Sequence, residues 1–312
     1  MKIAHLSDLH LCMKNRPMVV QQTKQLIQYA LEQGIDHLVI TGDISHNNEP
    51  QDFIALRKLL QEFGLLDPNK LSLTIGNHDI FGGVYFATDI AAFPEKCKHT
   101  NYRQEVREFK HYFSEAFENA YFPLPYLEMT YAKSIDNVVI IGINSIDRYS
   151  SLRNPFASAG VISSAQFDGL KMIFSKNNDK NCKKIVLIHH HFNHGPPADT
   201  RLQSRFWKMI ENYANRLSHK KRLLRLFKKQ HVDLILHGHK HESVEYRKMG
   251  LHFLNAGGTI DTNHSDELRV NFITIENDEI QTEIRTLPAA SFRGYQNSAV
   301  NQKRTMQARE SM

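Results

Sequence analysis

The chain has 312 residues, 41% of them apolar and 23% charged, with three cysteines and a formal net charge of +6. That length holds one large domain or two small ones, with ample material for a core. Cys12, Cys97 and Cys182 are an odd number without close spacing, which argues against a disulfide framework. No apolar run reaches the ~18 residues of a membrane span, and the start of the chain is too polar for a secretory signal, so a reducing, cytoplasmic setting is expected.

Residues 2–6 read as a short strand that runs into Ser7-Asp8-Leu9-His10. Met18, Val19, Leu26, Ile27, Ala30 and Leu31 keep helical spacing until Gly34 stops it. His37-Leu38-Val39-Ile40 is a buried strand ending in Thr41-Gly42-Asp43. Phe53, Ile54, Leu56, Leu59, Leu60 and Phe63 predict a second helix, over about 51–63. Leu71 to Ile75 is a third strand, followed by Gly76-Asn77-His78-Asp79. This strand–helix alternation implies parallel strands with helices on the sheet faces. In such sheets the carboxyl ends of the strands form the ligand crevice.

Residues 81–125 are less regular and rich in aromatics, with a helix over about 104–119; the segment about 80–125 reads as a cap or insertion at the mouth of the crevice. Val138 to Gly142 is a strand, and a helix over 163–175 starts at a Ser163 cap. Lys184 to Ile188 is a strand ending in His189-His190-His191. Between Arg201 and Gln230, ten basic residues face Glu211 alone, which leaves the rest of the chain net negative. Phe206, Ile210, Tyr213 and Leu217 share one helical face, and Leu223, Leu224 and Phe227 continue an apolar surface. This basic insertion, about 201–230, fits either contact with an anionic membrane or the solvated face of a helix. Val232 to Leu236 is a strand ending in His237-Gly238-His239-Lys240-His241. Short strands over 243–246, 252–255, 269–275 and 280–285 suggest a second sheet packed on the first. The domain therefore covers 1–287, and the polar, basic stretch 288–312 reads as a flexible tail.

Five strand ends carry metal-type donors: Asp8 with His10, Asp43, Asn77 with His78, a histidine of the 189–191 run, and His239 with His241. Carboxylates and imidazoles gathered at one end of a sheet repel or lack partners unless cations join them. A nitrogen and oxygen donor set without thiolate suits manganese, iron or zinc, manganese first. Even with His78 left out, seven donors exceed the needs of one ion and point to a pair sharing a carboxylate. His5 reads as a core histidine with a backbone partner and His237 as packing, while His191 and His194 are candidates to line the pocket.

Asp8-Leu9-His10, Gly42-Asp43, Gly76-Asn77-His78-Asp79, the histidine after Ile188 and Gly238-His239-Lys240-His241 together resemble the calcineurin-like metallophosphoesterase superfamily, with all five blocks in order across roughly residues 1–245. The resemblance implies a four-layer α/β/β/α sandwich with two divalent metal ions. It puts one ion on Asp8, His10 and His241, the second on Asn77, His190 and His239, and Asp43 between them. His190 is chosen because Phe192 stands where the family usually has proline, with His189 as the alternative. A metal-bridging hydroxide is then the nucleophile. His78 serves the leaving group, and Asp79 accepts from its ring and fixes the tautomer.

The compact size and the His78 position resemble the bacterial cyclic-nucleotide phosphodiesterase branch, which implies a phosphodiester or nucleotide substrate, led by 3′,5′-cyclic nucleotides. One rival is a UDP-2,3-diacylglucosamine pyrophosphate hydrolase at a membrane surface, which the basic segment fits. Another is a nuclease, disfavoured because Leu9 stands where that branch usually has tryptophan, so nucleic acid is not the expected partner. A non-catalytic metal-binding module would require a lost ligand, and all seven positions are filled.

Overall fold

The computed structural model describes residues 1–83, 87–179, 181–192, 216–260 and 267–288. Two sheets pack face to face. The first joins β1 (Lys2–Leu6), β2 (His37–Thr41), β3 (Leu71–Thr74), β12 (Glu267–Glu276) and β13 (Glu279–Pro288), in the order β13-β12-β1-β2-β3. The second holds β4 (Tyr131–Ile135), β5 (Val138–Ile143), β7 (Lys183–Ile188), β9 (Leu234–His237), β10 (Ser243–Lys248) and β11 (Leu251–Ala256), in the order β10-β11-β9-β7-β5-β4. A two-residue pair, β6 (Gly160–Val161) and β8 (Leu217–Ser218), lies apart.

Alternation along the strands builds the layers, because successive side chains leave a strand on opposite faces. Ile3, Val39, Ile140, Ile185, Leu187, Leu234 and Leu236 meet between the two sheets. Ala4, Leu6, Leu38 and Ile40 turn the other way, against α1 (Met18–Glu32) and α2 (Pro50–Glu62). Val139, Ile141, Val186, Ile188 and Ile235 turn outward against the helices Ser164–Lys176 and Lys220–Lys229. Three apolar interfaces separate four layers, helix, sheet, sheet and helix, which is the sandwich expected from the sequence.

The trailing strands depart from the reading as one separate sheet. β12 and β13 extend the first sheet, β12 running antiparallel to β1. β10 and β11 extend the second, β11 lying parallel to β9. A strand period records burial but not which sheet supplies the partner. Within 80–125, α3 (His78–Phe81) is followed by α4 (Ala87–His99) and α5 (Tyr102–Tyr112), which is shorter than the helix expected there. Phe109 of α5 packs edge-on to Phe53 of α2 at 5.8 Å, so part of this segment joins the helix layer. α6 (Ser164–Lys176) starts with Ser163 and Gln166 in a reciprocal capping box.

The basic region is described only from Arg216. α7 (Lys220–Lys229) buries Leu223, Leu224 and Phe227 against the second sheet. Leu217 is also buried, in β8. These residues therefore supply core rather than a membrane-facing surface, and only the basic face remains exposed. Phe206, Ile210 and Tyr213 lie outside the described residues, as does the stretch 289–312. Among the described residues no helix is long and apolar enough to cross a membrane.

Candidate metal centre

The carboxyl ends of β1, β2, β3, β7 and β9 meet at one edge of the sandwich. The turns that leave them are sharp. Asp8, His10, Asp43 and His239 all have positive φ (55°, 47°, 51° and 70°), a conformation costing non-glycine residues roughly 1–3 kcal/mol each. Gly238 lets the β9 turn come close, since a Cβ there would lie 1.9 Å from Ser7 Oγ and 2.3 Å from Asp8 Oδ2. Gly42, at φ 93°, plays the same part against Gly76 and His189. Hydrogen bonds tie the turns together: Asp8 N–H donates to the Gly42 carbonyl at 3.0 Å and His10 N–H to the Asp43 carbonyl at 3.0 Å.

Two donor groups result. Asp8, His10 and His241 form one; His10 Nε2 and His241 Nε2 stand 3.0 Å apart, and Asp8 Oδ1 lies 3.7 Å from His241 Nε2. Asp43, His189 and His239 form the other, joined by Asn77, whose Oδ1 lies 3.2 Å from His189 Nε2 and 3.1 Å from His239 Nδ1. Asp43 stands between the groups, with Oδ2 3.4 Å from His189 Nε2 and 3.9 Å from His10 Nε2. Its Oδ1 accepts the His78 amide at 2.9 Å.

His190 does not take the position the resemblance implied. Its Nδ1 accepts from Ser145 Oγ at 2.7 Å and its Nε2 donates to the Ser158 carbonyl at 3.0 Å, so both nitrogens are engaged away from the carboxylates. His189 occupies the place instead. Its Nδ1 donates to the Thr41 carbonyl at 2.8 Å, which leaves Nε2 facing the donor group. Asp79 also differs from its expected role. Its Oδ1 accepts from Ser45 N–H and its Oδ2 from Gly76 N–H, both at 2.9 Å, bracing the turns that carry Asp43 and Asn77. The His78 ring is held by another group: its Nδ1 donates to the His46 carbonyl at 2.9 Å.

His46 joins the site with no motif to announce it. Its ring, with those of His10 and His78, forms a third close group, and its only signal is its place three residues after Asp43 on the same loop. His5 and His237 have structural partners. His5 Nε2 meets Thr41 Oγ1 at 2.9 Å, a side-chain partner rather than a backbone one. His237 accepts from the Tyr246 hydroxyl at 2.8 Å. His191 stacks on the His239 ring, with centroids 5.7 Å apart, and His194 lies outside the described residues.

The donor chemistry fits cations. With Nδ1 protonated toward Thr41, a neutral His189 presents an Nε2 lone pair to the Asn77 carbonyl oxygen, acceptor against acceptor. Without a cation the conflict is relieved by a proton. Burial opposes charge on His189, yet Asp43 and then Asp8 outweigh it and raise the pKa to about 9. Burial likewise works against ionised Asp43, but His189, His78 and His10 hold its carboxyl well below the usual range. Asp8 is raised, with burial foremost. His10 and His239 are lowered, again by burial first, so they are neutral imidazoles suited to ligation. Buried His10 Nδ1 and His239 Nε2 have no hydrogen-bond partner among the described residues.

A family model for calcineurin-like phosphoesterases matches residues 1–243. No curated protein matches the chain in sequence. Among solved structures, a dimetal phosphatase from Danio rerio is similar at 11% identity and a TM-score of 0.58, over 92% of this chain and 98% of that one. A 5′-nucleotidase described as putative, from Staphylococcus aureus, is similar at 16% identity and a TM-score of 0.47, over 92% of this chain; the chain spans 54% of that protein's length. An archaeal phosphodiesterase is similar at 12% identity and a TM-score of 0.38, over 91% of this chain and all of that one. The zebrafish likeness speaks to the fold alone, and the other two add nothing to it.

Proposed function

The chain belongs to the calcineurin-like phosphoesterase family, and from that premise we propose that it is a dinuclear metal-dependent phosphodiester hydrolase, with 3′,5′-cyclic nucleotides as its first candidate substrates. As a member it is a hydrolase of phosphoric esters. The observation that carries the dinuclear reading is Asp43, whose Oδ2 faces His10 from one donor group and His189 from the other.

In this reading Asp8, His10 and His241 would hold one cation and Asn77, His189 and His239 the other, with Asp43 a donor available to each. When bound, such a pair supplies positive charge to the phosphate and acidifies water at neutral pH. The chain's own groups do the rest. His78 Nδ1–H donates to the His46 carbonyl, so Nε2 is the nitrogen left to exchange a proton with the leaving oxygen. The bond from the His78 amide to Asp43 Oδ1 keeps that ring in register with the donors. Asp79 holds the two turns at their spacing.

One observation favours a second reading, pyrophosphate hydrolysis on a lipid-linked nucleotide. Lys221, Arg222, Arg225, Lys228 and Lys229 are exposed along α7 with no acidic residue among them. With its apolar side buried, contact with an anionic membrane would be electrostatic alone. The test is a manganese-loaded panel of bis-p-nitrophenyl phosphate, cyclic AMP, UDP-2,3-diacylglucosamine and single-stranded DNA, with and without chelator. Hydrolysis of the lipid nucleotide alone would end the cyclic-nucleotide proposal, and activity indifferent to chelator would end the metal reading. His78→Ala should lower diester turnover by about 10²–10⁴-fold while two ions stay bound; loss of an ion would make His78 a ligand.

A further inference from the structure

Apart from the donor groups, the described residues line an open cleft of about 1330 Å³. Its walls come from the end of α4, the start of α5, the loop leaving β5 and the residues around β8. Among the described residues, the charged side chains lining it are Lys98, Arg103, Arg148, Arg153 and Arg216, with Asp147 as the one carboxylate. Burial raises the Asp147 pKa, and Arg153, Arg216 and Arg148 all act against that rise, so three guanidinium groups face one carboxyl. Glu128 lines an adjoining recess with Arg103 and Arg148, and pairs with Arg107 at 3.7 Å. Lys98 pairs with Glu95 at 3.7 Å, which leaves Arg103, Arg148, Arg153 and Arg216 against Asp147 and Glu128 among the described residues.

The cleft is built rather than incidental. The Arg148 guanidinium stands over the Tyr102 ring at 5.7 Å. That ring is fixed in turn: its hydroxyl donates to the Ile146 carbonyl at 3.0 Å and accepts from Asn144 Nδ2 at 3.1 Å. The cleft also opens at the reactive end of the sandwich. The loop carrying Asp147, Arg148 and Arg153 leaves β5, the parallel neighbour of β7, and His189 follows β7. Gly160, where that loop ends, lies against the His190 ring. Phe81, on another wall, belongs to the short helix that begins at His78.

We propose that this cleft is a second anion-binding site, taking a phosphate group of the substrate that lies outside the ester being cleaved. The word substrate rests on the phosphoesterase reading; the anion site itself does not. Guanidinium forks match phosphate oxygens two at a time, and several forks around one space suit a group carrying more than one negative charge. The substrate class this selects is a phosphodiester with at least one further phosphate. Among cyclic nucleotides it favours a dinucleotide, which carries a second phosphate, over a mononucleotide, which would leave the cleft unused.

The test has two arms. In the first, the full chain is stripped of metal with chelator, dialysed and titrated with inorganic pyrophosphate by calorimetry at low ionic strength. Wild type should bind, and Arg148→Gln/Arg153→Gln should bind at least tenfold more weakly, with Arg103→Gln as an independent second variant. No binding by wild type, or equal affinity in wild type and all variants, overturns the site. In the second arm, with manganese, KM for the 5′-phosphorylated dinucleotide pApA should rise in the double variant at least fivefold more than KM for bis-p-nitrophenyl phosphate. Equal changes in the two KM values overturn the assignment to substrate, and pyrophosphate inhibition that excess ester does not relieve assigns the cleft to a free anion instead. If the loaded protein cleaves no ester, the enzymatic reading fails while the first arm still decides the cleft.

Discussion

Adjacent histidines with opposite duties make a sharp test of the donor assignment. His189→Ala removes an imidazole whose Nε2 lies within 3.4 Å of Asp43, Asn77 and His239. Disturbing a hydrogen-bond partner of a ligand weakens metal binding by about 10–100-fold, so losing the donor itself should exceed that. His190→Ala removes no donor. It leaves the Ser145 hydroxyl and the Ser158 carbonyl without the ring they bond, at about 1–3 kcal/mol for each buried group left unpaired. Burial lowers the His190 pKa to about 3, so the neutral ring that accepts from Ser145 and donates to Ser158 is the native species. A destabilisation of about 2–5 kcal/mol is therefore expected, with a small cavity included. The assay pairs metal stoichiometry by elemental analysis with urea unfolding of the chelated proteins. His189→Ala should retain fewer than two ions. His190→Ala should retain both and unfold at lower urea. The reverse result, two ions in His189→Ala and one in His190→Ala, would refute the reasoning.

Two further outcomes concern the scaffold and its pH range. Lys133 is buried and its ammonium donates to the carbonyls of Leu71, Pro68 and Ala116, tying edge strand β4 to the end of the first sheet. Lys133→Met should cost about 2–5 kcal/mol by leaving those carbonyls unpaired, and an unchanged urea midpoint would show that water replaces the lysine. Hydrogen bonds from Arg57, foremost among the causes, lower the Glu115 pKa from 4.5 to about 2. A depressed carboxylate pKa stabilises the fold above the unfolded value of 4.5, and that contribution is lost as pH falls through about 2. Both side chains are about a third exposed, so the pair is worth about 1 kcal/mol or less. Glu115→Gln should accordingly flatten the fall in urea midpoint between pH 4.5 and 2, and an identical slope in the two proteins would contradict the pairing.

Much of the site is legible because its turns are chemically demanding. A donor one to three residues past an apolar strand marks all five strand ends, and at three of them Gly42, Gly76 and Gly238 stand where neighbouring groups nearly touch. The choice between His189 and His190 was also open to a parity argument. Ile185 and Leu187 face the other sheet while Val186 and Ile188 face the helices, and continuing the alternation sends His189 toward Asp43 and His190 away. The role of Asp79 was less accessible: a carboxylate beside a histidine can serve the ring or the backbone, and only the fold brings Ser45 and Gly76 N–H groups within its reach. The apolar stripe of α7 posed a similar ambiguity, because one periodicity serves a core, a membrane or a partner. Burial of Leu223, Leu224 and Phe227 decides it for the core.

The distribution of donors between sheets explains why the motifs lie so far apart in the chain. Asp8, His10, Asp43 and Asn77 follow strands of the first sheet; His189, His239 and His241 follow strands of the second. Each donor group draws on both. The apolar layer between the sheets fixes their distance but is non-directional, so it sets their register only loosely. Direction comes from polar contacts at the reactive edge. Asp8 accepts the His239 amide across the gap at 3.0 Å, and His189 Nδ1 donates to the Thr41 carbonyl at 2.8 Å. The same contacts orient the donors, so correct register and a correctly shaped site are one condition. Cations bound there would bridge the two sheets and favour the closed sandwich over any slipped arrangement, because metal affinity for a site assembled only by folding adds directly to folding free energy. Strained left-handed turns at Asp8, Asp43 and His239 are tolerable in such a place, since the packed sheets on either side and the crossing hydrogen bonds over-determine their geometry.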